Sequence, residues 1–173
     1  MKFFSGFSLK NDQEFFTKFL YQSEYSVAGF SYGAIKAFQY VENMLYKSKR
    51  VDTLQLFSPA FFQNKSEKFK RLQLQGFNRN QEVYIEKFLE QSFLPYEKGI
   101  VEHLHVDEKN LRELLEYEWI ETKLQKIADK GVTIEVYLGA KDKVIDSTEA
   151  KEFFLQNASV TYIKDANHFL QTK

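Results

Sequence analysis

Residues 25–47 read YSVAGFSYGAIKAFQYVENMLYK. The opening YSVAGF is a short apolar run of the kind that forms a strand buried on both faces. From Tyr32 to about Lys47 the apolar residues Ile35, Phe38, Val41 and Leu45 recur at three- and four-residue steps, the period of one helix face. A buried strand therefore runs straight into an amphipathic helix, and the pentapeptide Gly29-Phe30-Ser31-Tyr32-Gly33 spans the turn. A bare G-x-S-x-G match is weak, but strand-in and helix-out is the setting a nucleophile elbow requires. Side chains at positions 29 and 33 would crowd the neighbouring backbone of so sharp a turn. The turn lifts the Ser31 hydroxyl clear of a sheet and leaves the N–H of Tyr32, at a helix N-terminus, free to bind an oxyanion.

Working outward, residues 2–5 (KFFS) are a short apolar run that stops at Gly6. Asn11-Asp12 predicts a helix start ahead of Phe15, Phe16, Phe19 and Leu20. Further buried strands are expected at 51–57 (VDTLQLF, stopped by Ser58-Pro59), 132–138 (VTIEVYL) and 159–163 (SVTYI), with a helix over about 147–156 between the last two. Alternation of this kind implies a mostly parallel sheet of about five strands with helices on its faces. Residues 60–128 break the alternation and read as helices at about 66–76, 80–92 and 108–128. They form a helical insertion before the fourth main strand, expected to act as a lid within one α/β domain spanning 1–173.

The composition narrows the class. The chain has 173 residues, 43% hydrophobic, with 18 Phe and no Cys. That size supports one sizeable core rich in aromatic side chains. Without Cys, disulfides, thiolate catalysis and Cys-based metal sites are excluded. Twenty-four basic residues balance 24 acidic ones, so overall charge gives no reason to expect nucleic acid or an anionic membrane as partner. The start, MKFFSGFSLKNDQ, lacks an apolar h-region, and no apolar run approaches the length of a membrane span. A soluble cytoplasmic protein is the expectation.

A serine needs a base, and the base an orienting acid. In this type of fold they follow the serine in the order acid, then His. The histidines are His103, His105 and His168. His168 lies just past the last strand, where a loop can return the imidazole over the elbow; His103 and His105 fall between lid helices and read as solvated. Asp142, directly after strand 132–138, is the expected acid. Asp146 better suits a helix cap, and Asp165 is too near His168 in sequence. A second oxyanion donor is expected from the loop after the first strand, where Ser5-Gly6-Phe7-Ser8 offers the amide of Phe7. Chemistry of this kind needs no metal or organic cofactor.

With these residues in place, the chain resembles the short pimeloyl-acyl-carrier-protein methyl ester esterases of biotin synthesis, a branch of the α/β-hydrolases. The likeness runs nearly end to end, through FFSGF, AGFSYGAIKA, LFSP, FKRLQL, KGVTIEVYLGAKD and NHFLQ. It implies Ser31, Asp142 and His168 as the triad and Phe7 and Tyr32 at the oxyanion hole. It implies as substrate methyl pimeloyl-phosphopantetheine on acyl carrier protein, with methanol as one product. The fold's leading strands, and the strand–helix unit usually placed before the elbow, have no counterpart here. The rival readings are a serine esterase or thioesterase for another acyl group, and a non-catalytic binding protein on the same fold.

The resemblance also gives meaning to a charge asymmetry. Residues 65–79 carry Lys65, Lys68, Lys70, Arg71 and Arg79 against Glu67, whereas residues 102–121 are strongly acidic. The recognition helix of the carrier is acidic in such systems, so the first lid helix is the expected docking site. Phe62, Phe69, Leu72 and Phe77 are expected to line a channel for the phosphopantetheine arm. A solvated helix face balanced by its acidic neighbour is the plain alternative.

Overall fold

The computed structural model describes residues 1–173. In chain order the elements are β1 (Lys2–Phe4), β2 (Leu9–Lys10), a 3₁₀ turn (Asp12–Phe16), β3 (Ser26–Phe30), α1 (Tyr32–Tyr46), β4 (Thr53–Phe57), α2 (Glu67–Arg79), α3 (Gln81–Phe93), β5 (Glu102–His103), α4 (Glu108–Glu116), α5 (Glu121–Ala128), β6 (Thr133–Gly139), α6 (Ser147–Phe154) and β7 (Ser159–Ile163). The main sheet has the five parallel strands that the alternation predicts, and their order is β1-β3-β4-β6-β7. A two-stranded antiparallel ribbon, β2-β5, ties the loop after β1 to the insertion. No helix is long and apolar enough to cross a membrane.

The strand order explains the layering. From β3 on, successive strands step in one direction across the sheet, and right-handed crossovers that all step one way return over one face. Val27, Leu54, Leu56, Val136 and Leu138 point to that face and pack with Ile35 and Phe38 of α1, Leu124 of α5 and Phe154 of α6. Their sequence neighbours Ala28, Phe30 and Phe57 point to the other face, which is covered by Phe16 and by Phe93, Phe169 and Leu170. The period of two along β3 and β4 thus feeds two cores, both aromatic-rich.

Two expectations need correction. The segment after Asn11 is a short 3₁₀ turn, and Asn11 does not cap it: Asn11 is left-handed (φ 61°) and its side chain makes no capping bond. The Phe15/Phe16/Phe19/Leu20 spacing is satisfied by packing on the sheet, with Phe16 stacked on Phe57 at 4.7 Å and 12°. Nor is 108–128 one helix. The chain leaves helical geometry at Tyr117 (ψ 130°) and re-enters at Glu121. The break sinks Trp119 between Phe38, Tyr117 and Phe154, and its indole N–H donates to Ala60 O at 2.8 Å. Burying a large aromatic with its N–H satisfied outweighs the few helical bonds lost.

A polar cluster borders the second face. Gln55, fully buried in the central strand, accepts from Tyr21 N–H at 3.1 Å and donates to Phe19 O at 2.8 Å. Its Nε2 also donates to Glu135 Oε2 at 3.1 Å, and Tyr21 and Tyr137 hydroxyls donate to the same Glu135 carboxylate. One side chain thus pins the segment after the 3₁₀ turn to the sheet. Gln55→Leu keeps the volume but strands two backbone groups, so it is expected to cost about 2–4 kcal/mol in stability, read by urea unfolding. A loss below the scatter of surface substitutions would show that the cluster does not hold the segment.

Candidate active site

The site is assembled at the carboxyl ends of β3, β6 and β7, where open parallel sheets present their ligands. Ser31 follows β3 directly, at φ 53° and ψ −114°, a conformation L residues hold only when their surroundings impose it. Packing imposes it here. A Cβ on Gly33 would lie 2.0 Å from Phe4 O, and one on Gly29 would lie 2.2 Å from Gly33 O. The helix start is pressed against both β1 and its own incoming strand, which is the crowding foreseen for the two glycines. Ser31 N–H donates to Phe57 O at 2.9 Å, fastening the turn to the next strand.

Asp142 and His168 arrive on two loops that are bonded to each other. Ala140 N–H donates to Ile163 O at 2.9 Å and Lys141 N–H to Ala166 O at 2.8 Å. Asp142 Oδ1 accepts from Val144 and Ile145 N–H at 2.7 and 3.1 Å, which aims Oδ2 at the imidazole. His168 Nδ1 lies 2.6 Å from Asp142 Oδ2, and Nε2 lies 3.0 Å from Ser31 Oγ. An ionised carboxylate only accepts, so Nδ1 carries the proton and Nε2 presents its lone pair to the serine hydroxyl. All three side chains are buried; Ser31 is 2% and His168 1% exposed.

The rejected candidates lie elsewhere. Asp146 caps α6, accepting from Thr148 and Glu149 N–H at 3.2 and 3.0 Å. Asp165 pairs with Lys141 at 3.0 Å, which holds its carboxyl below the usual range. His103 and His105 are on the surface.

The two N–H groups expected as oxyanion donors have no acceptor within the chain. The N–H of Phe7 donates to no protein acceptor, and that of Tyr32, first residue of α1, has no carbonyl one turn back to accept it. Their rings meet edge-on at 6.3 Å. Phe7 also packs on Phe77 of α2 at 6.2 Å and Phe88 of α3 at 5.9 Å, so the insertion roofs this corner of the site. Tyr32 OH donates to Glu113 Oε2 of α4 at 2.6 Å, and Lys36 Nζ donates to the same oxygen at 2.6 Å. Burial pushes the Glu113 carboxyl up, but the bonds from Lys36 and Tyr32 prevail and leave it below its ordinary value.

Other expectations need adjusting. Of the residues assigned to a channel, Phe77 reaches Phe7, whereas Phe62 and Phe69 stack on each other at 6.3 Å. Leu72 is 51% exposed and lines nothing inside. In the basic stripe Lys70 turns inward, 9% exposed, beside Glu67 at 3.3 Å. Lys68, Arg71 and Arg79 are exposed, Lys65 partly so. Asn167, to which the sequence alone assigns no role, is fully buried. Its Nδ2 donates to Phe93 O at 2.7 Å and to Gln171 Oε1 at 2.9 Å, and its Oδ1 accepts from Gln171 N–H, closing the loop that carries His168. The signal was present in NHFLQ, but its meaning depends on α3 lying alongside.

No known family model matches the chain, and no curated protein matches it in sequence. Solved structures do match its fold. An esterase from Exiguobacterium antarcticum superposes with a TM-score of 0.62 at 17% identity, over 82% of this chain and 58% of that one. A hydrolase from Oleispira antarctica gives 0.63 at 14% identity, over 85% and 59%. The chain thus spans little more than half the length of either. BioG from Haemophilus influenzae gives 0.55 at 10% identity, over 97% of this chain and 87% of that one. At such identities the likeness is one of fold, and it agrees with the topology above: this chain has an α/β-hydrolase fold, with Ser31, His168 and Asp142 joined at the sheet's carboxyl edge.

Proposed function

We propose that this protein is a serine carboxylester hydrolase, and that its substrate is the methyl ester of a pimeloyl chain carried on acyl carrier protein. The observation that carries the first part is the unbroken Ser31–His168–Asp142 hydrogen-bonded chain. The second part is supported by the run of sequence motifs resembling the methyl ester esterases and by a fold match to BioG that takes in nearly all of both chains.

The chemistry follows from the geometry. Ser31 Oγ attacks the ester carbonyl as His168 Nε2 takes its proton, and Asp142 stabilises the imidazolium. The oxyanion is held by the N–H groups of Phe7 and Tyr32. His168 then protonates the departing methoxide, and methanol leaves an acyl-enzyme. Water, deprotonated by the same His168, releases the free acid and restores Ser31. Because Ser31 and His168 are almost enclosed, admission of the chain requires the Phe77 side of the cover to move off the Phe7 ring.

Carrier docking is assigned to the outer face of α2. The acids of α4 are already engaged: Glu108 and Glu116 with Arg112, and Glu113 with Lys36. Lys68, Arg71 and Arg79 have no ion-pair partner, so α2 keeps a positive field for an acidic helix, with exposed Leu72 among them.

Two outcomes test this. Ser31→Ala is expected to lower kcat on a small ester by on the order of 10⁴–10⁶ and to abolish labelling by a fluorophosphonate; His168→Ala should match it, the double mutant adding little, and Asp142→Asn costing less. A folded Ser31→Ala protein with normal turnover ends the serine mechanism. On methyl pimeloyl-acyl carrier protein, with product weighed by mass spectrometry, Lys68→Glu with Arg71→Glu should raise KM, most at low ionic strength, while small-ester turnover stays unchanged. Hydrolysis of small esters without any of the carrier substrate would leave the esterase and remove the pimeloyl assignment.

A further inference from the structure

The loop that supplies the Phe7 amide is held by a buried acid outside the Ser31–His168–Asp142 chain. Asp12 is 1% exposed, and its Oδ2 accepts from Gly6 N–H at 2.9 Å. Its Oδ1 is buried without a hydrogen-bond partner, and no cation pairs with it. A carboxyl group in such a place costs stability. Burial raises its pKa, outweighing the opposing Ser5 hydroxyl and Gly6 N–H. A costly group kept at a site edge calls for a role there.

We infer that Asp12 is a positioning residue that fixes the Phe7 N–H as an oxyanion donor. The backbone geometry is specific. The peptide unit linking Gly6 to Phe7 is held at its carbonyl, where Gly6 O accepts from Leu9 N–H at 3.1 Å. In a trans peptide the N–H points opposite to the carbonyl, so this bond sets the direction in which Phe7 N–H points. The preceding N–H, that of Gly6, is gripped by Asp12, which sets where the unit sits. Asp12 is itself rigid. It opens the 3₁₀ turn whose last residue, Phe16, stacks on Phe57 and packs on Phe30 at 4.8 Å. Phe30 immediately precedes Ser31. One aromatic cluster therefore references both the nucleophile and the donor loop, and Asp12 is the polar link between the cluster and the loop.

This rests on the serine hydrolase reading, and the test separates the two. Kinetics are compared on a small aryl ester and on its thiono counterpart, in which C=S replaces C=O. Sulfur is a larger and weaker acceptor, so a preorganised oxyanion hole favours the oxo ester. Asp12→Ala is expected to lose roughly 10–100-fold in kcat on the oxo ester with little change in KM. It should lose much less on the thiono ester, so the oxo-to-thiono ratio falls. Asp12→Asn, which keeps an acceptor for Gly6 N–H, should restore the ratio to within a few-fold of the parent. If Asp12→Ala does not fold, Asp12→Val withdraws the acceptor with less loss of volume and carries the same expectation. An unchanged ratio in a folded, fluorophosphonate-reactive variant, or equal losses on both esters, overturns the positioning role. Failure of the parent itself to react with the fluorophosphonate would instead overturn the hydrolase reading.

Discussion

The structure turns on one steric constraint: helix α1 must begin within van der Waals reach of the backbone of β1. With Gly33 in place, the start of α1 touches Phe4 O, where any Cβ would sit 2.0 Å away. That contact brings the first strand, the elbow and the donor loop to one point, and it forces Ser31 to φ 53°. The strain is offset by the ladder bonds of β3 to both neighbours and by the bond from Ser31 N–H to Phe57 O. Relaxing it would move Ser31 away from its 3.0 Å contact with His168.

Around that point the chain builds a hydrolase sheet with few parts. Five strands and three crossover helices make one face, and on the other a 3₁₀ turn, part of the insertion and the C-terminal loop make do as cover. Phe side chains fill this thinner layer: Phe16, Phe30, Phe57, Phe93 and Phe169 interlock, with Phe93 and Phe169 stacked at 4.2 Å. Where apolar cover ends, Gln55 and Glu135 take over, so the uncovered edge of the face is polar. Large rigid rings give much buried area per residue at small entropic cost, which suits a chain of this size.

The insertion is fastened to the site at two kinds of contact. Phe77 and Phe88 rest on Phe7 through apolar packing, while Glu113 holds Tyr32 and Lys36 through short polar bonds. Dispersion contacts tolerate sliding, whereas a shared carboxylate with directed donors does not. Helix α2, resting on Phe7 through Phe77, is thus the part of the roof best able to shift; α3 is tied to the His168 loop, where Asn167 Nδ2 donates to Phe93 O at 2.7 Å, and α4 stays with the elbow.

The sequence by itself determined the five main strands, the crossover helices, the strand–turn–helix at Ser31, and the places of Asp142 and His168 just past strand ends. Each of these is written in short-range terms: period two or period 3.6, glycines at fixed spacing, and an acid or imidazole just past a strand end. It also marked 60–128 as helical, because helix periodicity is local. Tertiary structure alone decided where helices break, as at Trp119, whose indole seeks Ala60 O across 59 residues of sequence. It decided which cations face water, turning Lys70 inward and leaving Lys68 and Arg71 out. It also decided that Asn11 would not cap a helix, and that Asp12 would reach back to Gly6 and Asn167 across to Phe93. A buried polar group takes whichever partner packing brings near, and packing between distant segments leaves no periodic trace along the chain.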